Sequence, residues 1–405
     1  MTRLGPEGAA VPAEVQAVSL NAGIRHLRPD RVWDRTQEAI AFLRRQACRA
    51  CYLKVDSTLR GHLGRMAAAA RAALGSELAV VAPAFPSAGR ITAGGYQLVD
   101  SVPVAVSAYG QDPLAPVTQS HLPALLAQGA GEPVAHVGLD TVLEGSGAIA
   151  REFDHLRRQG LRLVSVDATR REDLEAIAAA IQHAPFSILP VGSAGLAEAL
   201  SARTAPARLL GALPKAERAI TVLPSGPPVL VINGSVNPVS LSQLDALQES
   251  VRVVPADVPQ LLLTGSEEEG RLERVVLQSL FAGRDVVLTT SLSAEQVQRD
   301  LALAADLGLS PWQLGRHLSE LLGSLSRRLI ERAEVANLVL VGGETAAAVC
   351  DKLPSDRLEL LAEVAPAIPC GRLVGTPLRI VTKSGGFGGR ETLTQVVTHL
   401  RQTAP

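Results

Sequence analysis

The sequence predicts an α/β protein of two domains, each with a mainly parallel sheet flanked by helices. Three observations carry this. Short apolar runs recur, each ending in a turn of Gly, Ser, Asn or Asp and followed by a helical stretch, the grammar of parallel sheets covered on both faces. The stretch 202–228 is rich in Ala, Pro and Arg and weakly patterned, so it reads as a linker. At 405 residues the chain is long enough for a core in each of two ordinary domains. The expected division is a first domain over 1–205, a linker over 206–227 and a second domain over 228–405.

Composition narrows the classes. Hydrophobic residues make up 47% and charged residues 20%, which suits a globular chain; with only 3% aromatics, Ala, Leu and Val must fill the cores. The net charge of −1 gives no basic excess for nucleic acid, and there is no aromatic platform for single strands. No apolar run reaches membrane-spanning length, and 1–14 has no apolar signal-peptide core, so neither a membrane nor an export signal is expected. Four cysteines in a chain this long do not make a disulfide scaffold, and a reducing cytoplasm is the expected location. Cys48 and Cys51 have CxxC spacing, but no second pair follows at zinc spacing; they read as incidental thiols, and no metal site is expected of the protein's own side chains.

In order along the chain, 14–20 is a candidate first strand, ending at Asn21-Ala22-Gly23-Ile24-Arg25-His26. A helix is expected over 31–49, with Trp33, Ile40, Ala41 and Leu43 as its apolar positions, and a short strand over 50–53. The run Lys54-Val55-Asp56-Ser57-Thr58-Leu59-Arg60-Gly61-His62-Leu63-Gly64 then sits between that strand and an Ala-rich helix over 65–74. Ligands of α/β sheets bind at the carboxyl ends of strands. Lys54 and Arg60 suit a carboxylate or phosphate. Asp56 can take a hydroxyl proton or orient a sugar hydroxyl. Gly61 and Gly64 would let the backbone approach a ligand. The ligand implied is small, hydroxylated and anionic; the plainer alternative is a helix N-cap by Ser57 or Asp56. An apolar run over 78–82 reads as a buried strand. After it, 83–95, with two prolines, three glycines, Arg90 and Thr92, reads as a shaped loop rather than a regular element, and 112–118 as another. Strands over 160–166 and 187–191 and a helix over 171–181 complete the half, with Gly192-Ser193-Ala194-Gly195 opening a further helix.

The second half repeats the pattern, with strands expected over 229–232, 285–288, 337–341 and 378–382 and helices from 239 and over 311–333. Three strand ends carry small or glycine-rich turns: around Ser235, at Gly342-Gly343-Glu344-Thr345, and at Lys383-Ser384-Gly385-Gly386-Phe387-Gly388-Gly389. Amides at such turns attract phosphate, so a nucleotide is implied. GxxxxGK[ST], GxGxxG opening a helix, HExxH and GxSxG are all absent, which weakens Walker-type, dinucleotide, metalloprotease and esterase readings.

The ordered set of Lys54 to Gly61, Pro83-Ala84-Phe85-Pro86 with Gly89-Arg90, Asp112-Pro113, Gly192 to Leu196, Gly234-Ser235-Val236, Gly342 to Thr345 and Lys383-Ser384-Gly385 with Phe387-Gly388 resembles the four-carbon acid sugar kinase family, from about residue 15 onward. The resemblance implies phosphorylation of threonate, erythronate or 3-oxo-tetronate by ATP in a cleft between a sugar-acid domain and a nucleotide domain. It implies that Arg25, Lys54, Asp56, Ser57, Arg60 and Arg90 meet the acid, and that Ser235, Gly342, Gly343, Glu344, Thr345 and Gly385 meet ATP. Mg²⁺ is inferred from the need to neutralise the phosphates. A homodimer is left open.

One departure stands out. The family begins with an Asp-Asp-Leu-Thr-Gly-Ala type loop whose acid is the expected base, and this chain has no Asp-Asp pair; just before Arg25 it carries Gly23-Ile24 where the family has an acidic residue or Ser. Either the recorded start is downstream of the true one, or part of the catalytic apparatus is missing. Asp56 is then the one acid of the central motif that could serve as base. The alternative is a family member that binds sugar acid or nucleotide without turnover.

Overall fold

The computed structural model describes residues 2–3, 18–46, 48, 50–112, 116–204, 226–355 and 357–402. The chain divides into two compact units, Met1–Gly211 and Ala212–Pro405. The linker expected over 206–227 lies, apart from its last two residues, outside the described residues.

In the first unit, β1 (Thr2–Arg3) pairs in parallel with β2 (Leu20–Asn21), the described end of the strand expected over 14–20. The main sheet contains β3 (Leu53–Lys54) and β4 (Leu78–Ala82). A small antiparallel meander follows: β5 (Arg90–Ala93), β6 (Tyr96–Val99) and β7 (Val102–Pro103). Then come β8 (Val134–Val137), β9 (Leu163–Val166) and β10 (Ile188–Gly192), and the main sheet runs β3-β10-β4-β9-β8, all parallel. Strand β4 is buried along its whole length because both sheet faces are covered. Its alternate residues divide accordingly. Ala79 and Val81 pack with Ala67, Leu122 and Leu126, whereas Leu78, Val80 and Ala82 pack with Ile149, Phe153 and Ile177.

Several expectations need correction here. The helix expected over 31–49 is Pro29–Arg45, and its buried face is Val32, Thr36, Ala39, Ile40 and Phe42; Ala41 is exposed. The short strand is Leu53–Lys54 rather than 50–53. The shaped loop over 83–95 contains the first strand of the meander, β5, and the turn that leads to β6. Its burial runs opposite to the usual apolar alternation, because Arg90 and Thr92 point inward, so a search for alternating apolar residues passes it by. Gly64 is packed against protein backbone and is not open to a ligand. It lies in helix Leu63–Leu74, and a Cβ there would stand 2.2 Å from Leu126 O of helix Leu122–Ala130, so it sets the spacing of two small-residue helices.

In the second unit, β11 (Val229–Asn233), β12 (Arg252–Pro255), β13 (Val286–Thr289), β14 (Asn337–Val341), β15 (Leu358–Ala365), β16 (Ile368–Leu373) and β17 (Arg379–Lys383) form one sheet in the order β12-β13-β11-β14-β17-β16-β15. The first five are parallel; β16 and β15 add an antiparallel edge. Leu230, Ile232, Leu288, Leu338, Leu340 and Ile380 fill the core on one face, and Val229, Val231, Val287, Val339, Val341 and Val381 that on the other. No helix among the described residues is long and apolar enough to cross a membrane.

Candidate functional site

Two clusters of polar groups collect at strand carboxyl ends, one in each unit. In the first, β3 delivers Lys54 and the chain turns at once. Val55 N–H donates to Gly192 O at 2.8 Å and Leu59 N–H to Asp56 O at 3.0 Å. Leu59 is buried with φ of 61°, an uncommon conformation for a branched side chain, of the kind that persists where surrounding structure enforces it. The helix after the turn starts at Leu63 behind His62 and has no side-chain cap, so neither Ser57 nor Asp56 is spent as an N-cap.

Asp56 is the hub. Its Oδ2 accepts from Arg60 Nε at 2.6 Å and from Thr58 Oγ1 at 3.0 Å, and lies 3.6 Å from Arg25 Nη2. Arg60 also reaches Asp112 Oδ2 at 3.3 Å and stacks over the Tyr109 ring at 5.2 Å. Arg25 is brought in by backbone: Arg35 Nε donates to Ala22 O at 3.1 Å and His62 Nε2 to Leu27 O at 2.8 Å, which hangs the Arg25 segment beside Gly61. Burial alone would raise the Asp56 carboxyl, but Arg60, Arg25 and Lys54 outweigh it and hold it at about 2. The Lys54 ammonium is pushed below the ordinary lysine value, first by loss of water around it and then by Arg25 and Arg60, against the pull of Asp56, although solvent still reaches the side chain. Three cations thus face two carboxylates, an excess of one positive charge suited to a carboxylate ligand.

The meander buttresses this turn. Gln97 Nε2 of β6 donates to Ser57 O at 2.8 Å and its Oε1 accepts from Thr92 Oγ1 at 2.7 Å, all of it buried. Ser57 is therefore held through its backbone. Arg90 is buried, donating to Ala88 O and, at 3.1 Å, to the Tyr109 hydroxyl; it reaches the cluster through the ring under Arg60. Sequence gives no signal for Tyr109 and Gln97, whose partners lie 19 and 40 residues away; Asp112 belongs to one of the motifs of the resemblance, but its pairing with Arg60, 52 residues away, is not legible there. Of the CxxC pair, Cys48 is exposed and Cys51 half-buried; both are free, and burial pushes the Cys51 thiol up, which makes it a poor nucleophile.

In the second unit, the three turns singled out by sequence lie on adjacent parallel strands. Asn233, Val341 and Lys383 end β11, β14 and β17 in register. The turns touch: a Cβ on Gly385 would stand 2.1 Å from Ser235 Oγ, one on Gly234 2.2 Å from Thr345 Oγ1, and one on Gly342 3.5 Å from Ser235 N. Gly342, at φ of 105°, makes the bend into helix Gly343–Cys350, so Gly343 and Glu344 open that helix with Thr345 buried behind them. Space is open beside Gly343, where a Cβ would meet nothing within 4 Å. Asn237 caps helix Pro238–Leu247, its Oδ1 accepting from Val239 N–H at 3.0 Å. Two helix N-termini and a glycine loop thus converge, the donor set an anionic phosphate chain needs. Lys383 is also here. It is 2% exposed, and burial brings its ammonium down to about 7. Sequence places it in the turn motif but gives it no role; a lysine ending an apolar strand was the available signal.

Comparison with known proteins divides the chain in the same way. Residues 4–200 match the family model described as a sugar-binding N-terminal domain, and 230–393 the one described as a nucleotide-binding C-terminal domain. A D-threonate kinase of Salmonella typhimurium is 34% identical over 357 residues, 87% of this chain and 80% of the relative. A D-erythronate kinase of Heliobacterium modesticaldum is 31% identical over 95% of this chain and 87% of its own. A 3-oxo-tetronate kinase of Methylobacterium radiotolerans is 32% identical, covering 95% and 89%. Among solved structures, a Salmonella typhimurium LT2 protein superposes with a TM-score of 0.76 at 22% identity, over 97% of this chain and 91% of that one. A Haemophilus influenzae protein of the DUF1537 family gives 0.68 at 22%, over 98% and 93%. These two speak for the fold alone.

Proposed function

The chain belongs to the four-carbon acid sugar kinase family, and from that premise we propose that it transfers the γ-phosphoryl group of ATP to a hydroxyl of a four-carbon sugar acid of the threonate, erythronate or 3-oxo-tetronate class. The observation that carries this is the pairing of chemistries. A carboxylate ringed by three cations ends a strand in the unit that matches a sugar-binding model, and three touching small-residue turns end adjacent strands in the unit that matches a nucleotide-binding model.

In this reading Arg25 and Lys54 meet the acid's carboxylate. Asp56 accepts from a substrate hydroxyl and keeps Arg60 in place. A carboxylate held at about 2 is a weak base at neutral pH, so Asp56 orients rather than deprotonates. Ser57 and Arg90 serve the turn from behind, one through its backbone and the other through Tyr109. Ser235, the stretch Gly342 to Thr345, and Gly385 hold the phosphates of ATP. The hydroxyl oxygen bonds to the γ-phosphorus, the bond from that phosphorus to the β–γ bridging oxygen breaks, ADP leaves with the electron pair, and the hydroxyl proton passes to water. Positioning and charge neutralisation are what such a transfer needs. Mg²⁺ would add neutralisation of the phosphates. Such an ion would be held mainly by substrate phosphates and water, as is usual for Mg²⁺ with nucleotides. The low cysteine count is what supports a reducing cytoplasm.

The test is incubation of the full chain with ATP and each acid in turn. Equal amounts of ADP and phosphorylated acid, formed only when an acid is present, are the expected result. Tight ATP binding with no product on any acid would replace this reading by binding without turnover.

A further inference from the structure

Three buried side chains of the second unit send donors into one loop. Lys383 Nζ donates to Ser384 O at 3.0 Å and Gly385 O at 3.2 Å. Ser240 Oγ donates to Gly385 O at 2.8 Å. Gln243 Nε2 donates to Phe387 O at 3.0 Å and Gly389 O at 2.8 Å. Ser240 and Gln243 are 0% exposed and sit on helix Pro238–Leu247, the same helix whose N-terminus follows the Ser235 turn.

Stability alone does not account for this set. Lys383 makes no ion pair among the described residues, and a buried cation without a carboxylate is costly. Gln243 gives both amide hydrogens to the loop and leaves its Oε1 buried with no hydrogen-bond partner. An apolar residue at either position would avoid these costs. Residues that break local rules in this way gather where function requires them.

We propose that Lys383, Ser240 and Gln243 are positioning residues that draw the carbonyls of the 384–389 loop into the protein, so that the loop meets the nucleotide phosphates with its amide side and not its carbonyl side. A glycine-rich loop lacks side chains to fix the direction of its peptide planes, and a carbonyl turned toward a phosphate would repel it. The clamp supplies that direction from behind. Through Gly385 it also fixes the contact with Ser235, so two of the three turns are set by one network. This inference rests on the nucleotide reading of the second unit.

The experiment uses the full chain and two variants, Lys383→Met and Gln243→Leu, which keep side-chain bulk and remove the donors. ATP affinity is measured by calorimetry, KM for the sugar acid by steady-state kinetics, and loop order by amide hydrogen exchange over 384–389. Each variant is expected to bind ATP at least about tenfold more weakly, in line with loss of two buried donors. The acid KM should be unchanged, exchange should be faster in the loop alone, and melting temperature should not fall. Unchanged ATP affinity in a folded variant overturns the proposal and leaves the nucleotide reading standing. Equal losses for ATP and acid together with a lower melting temperature also overturn it, because that is a general structural effect. Wild-type protein that binds no ATP overturns the nucleotide reading and this proposal with it. If Lys383→Met does not fold, Gln243→Leu decides between these outcomes.

Discussion

At the residue scale, Asp56 and Lys383 both make stability rise with pH, Asp56 in the acid range and Lys383 above neutrality. The Asp56 carboxyl is held at about 2 against an ordinary 3.8, so the folded state prefers it ionised. Its contribution is present above pH 4 and is lost as pH falls from about 4 through 2; the shift corresponds to about 2 kcal/mol. Acid titration of stability in wild type and Asp56→Asn checks this: the variant should lack that part of the acid-induced loss. The substitution also leaves Arg25, Lys54 and Arg60 without their shared anion, and kcat/KM for the acid should fall by about 10- to 100-fold, the value of a charge-assisted hydrogen bond. Lys383 acts with the same sign in a higher pH window, as a cost of burial that is relieved when the lysine loses its proton. Its folded value of about 7 lies below the ordinary 10.5, so between those limits the unfolded chain binds the extra proton and stability rises with pH. Denaturation at pH 7 and pH 9 should show wild type gaining relative to Lys383→Met at the higher pH; a constant difference would rule out this titration.

At the element scale, close approach decides which glycines matter. Gly64 packs helix Leu63–Leu74 onto helix Leu122–Ala130, and an added methyl would meet the Leu126 carbonyl. Gly64→Ala is expected to cost about 1–3 kcal/mol by overpacking, seen as a lower melting temperature with substrate KM values kept in the folded fraction. Gly385→Ala meets Ser235 instead, and is expected to raise KM for ATP with little change in melting temperature. The same scale shows what sequence can reveal. Helix Pro311–Ala333 is legible to the residue, because Ser310 and Gln313 form a capping box and Pro311 takes the first turn. Strand β14 is equally clear as a run of apolar residues bounded by Asn337 and Gly342. The hairpin β15–β16 is not legible: its edge strand is largely exposed and its register shifts twice, so no alternation survives. In the central turn, Asp56 with Arg60 is legible because both sit four residues apart in one motif, whereas Asp112 and Gln97 come from other elements and no spacing rule points to them.

At the scale of the whole molecule, each unit gathers one kind of chemistry at the carboxyl ends of its own parallel sheet. Cations and carboxylates collect in the first, glycine turns and helix N-termini in the second. Such a division implies that the two substrates can be weakened independently. Steady-state KM values for sugar acid and for ATP, measured on Arg60→Ala beside wild type, test this most directly. The account predicts a rise of about tenfold or more in KM for the acid, from loss of a charge-assisted contact, with KM for ATP unchanged. A rise of the same size for both substrates would contradict it.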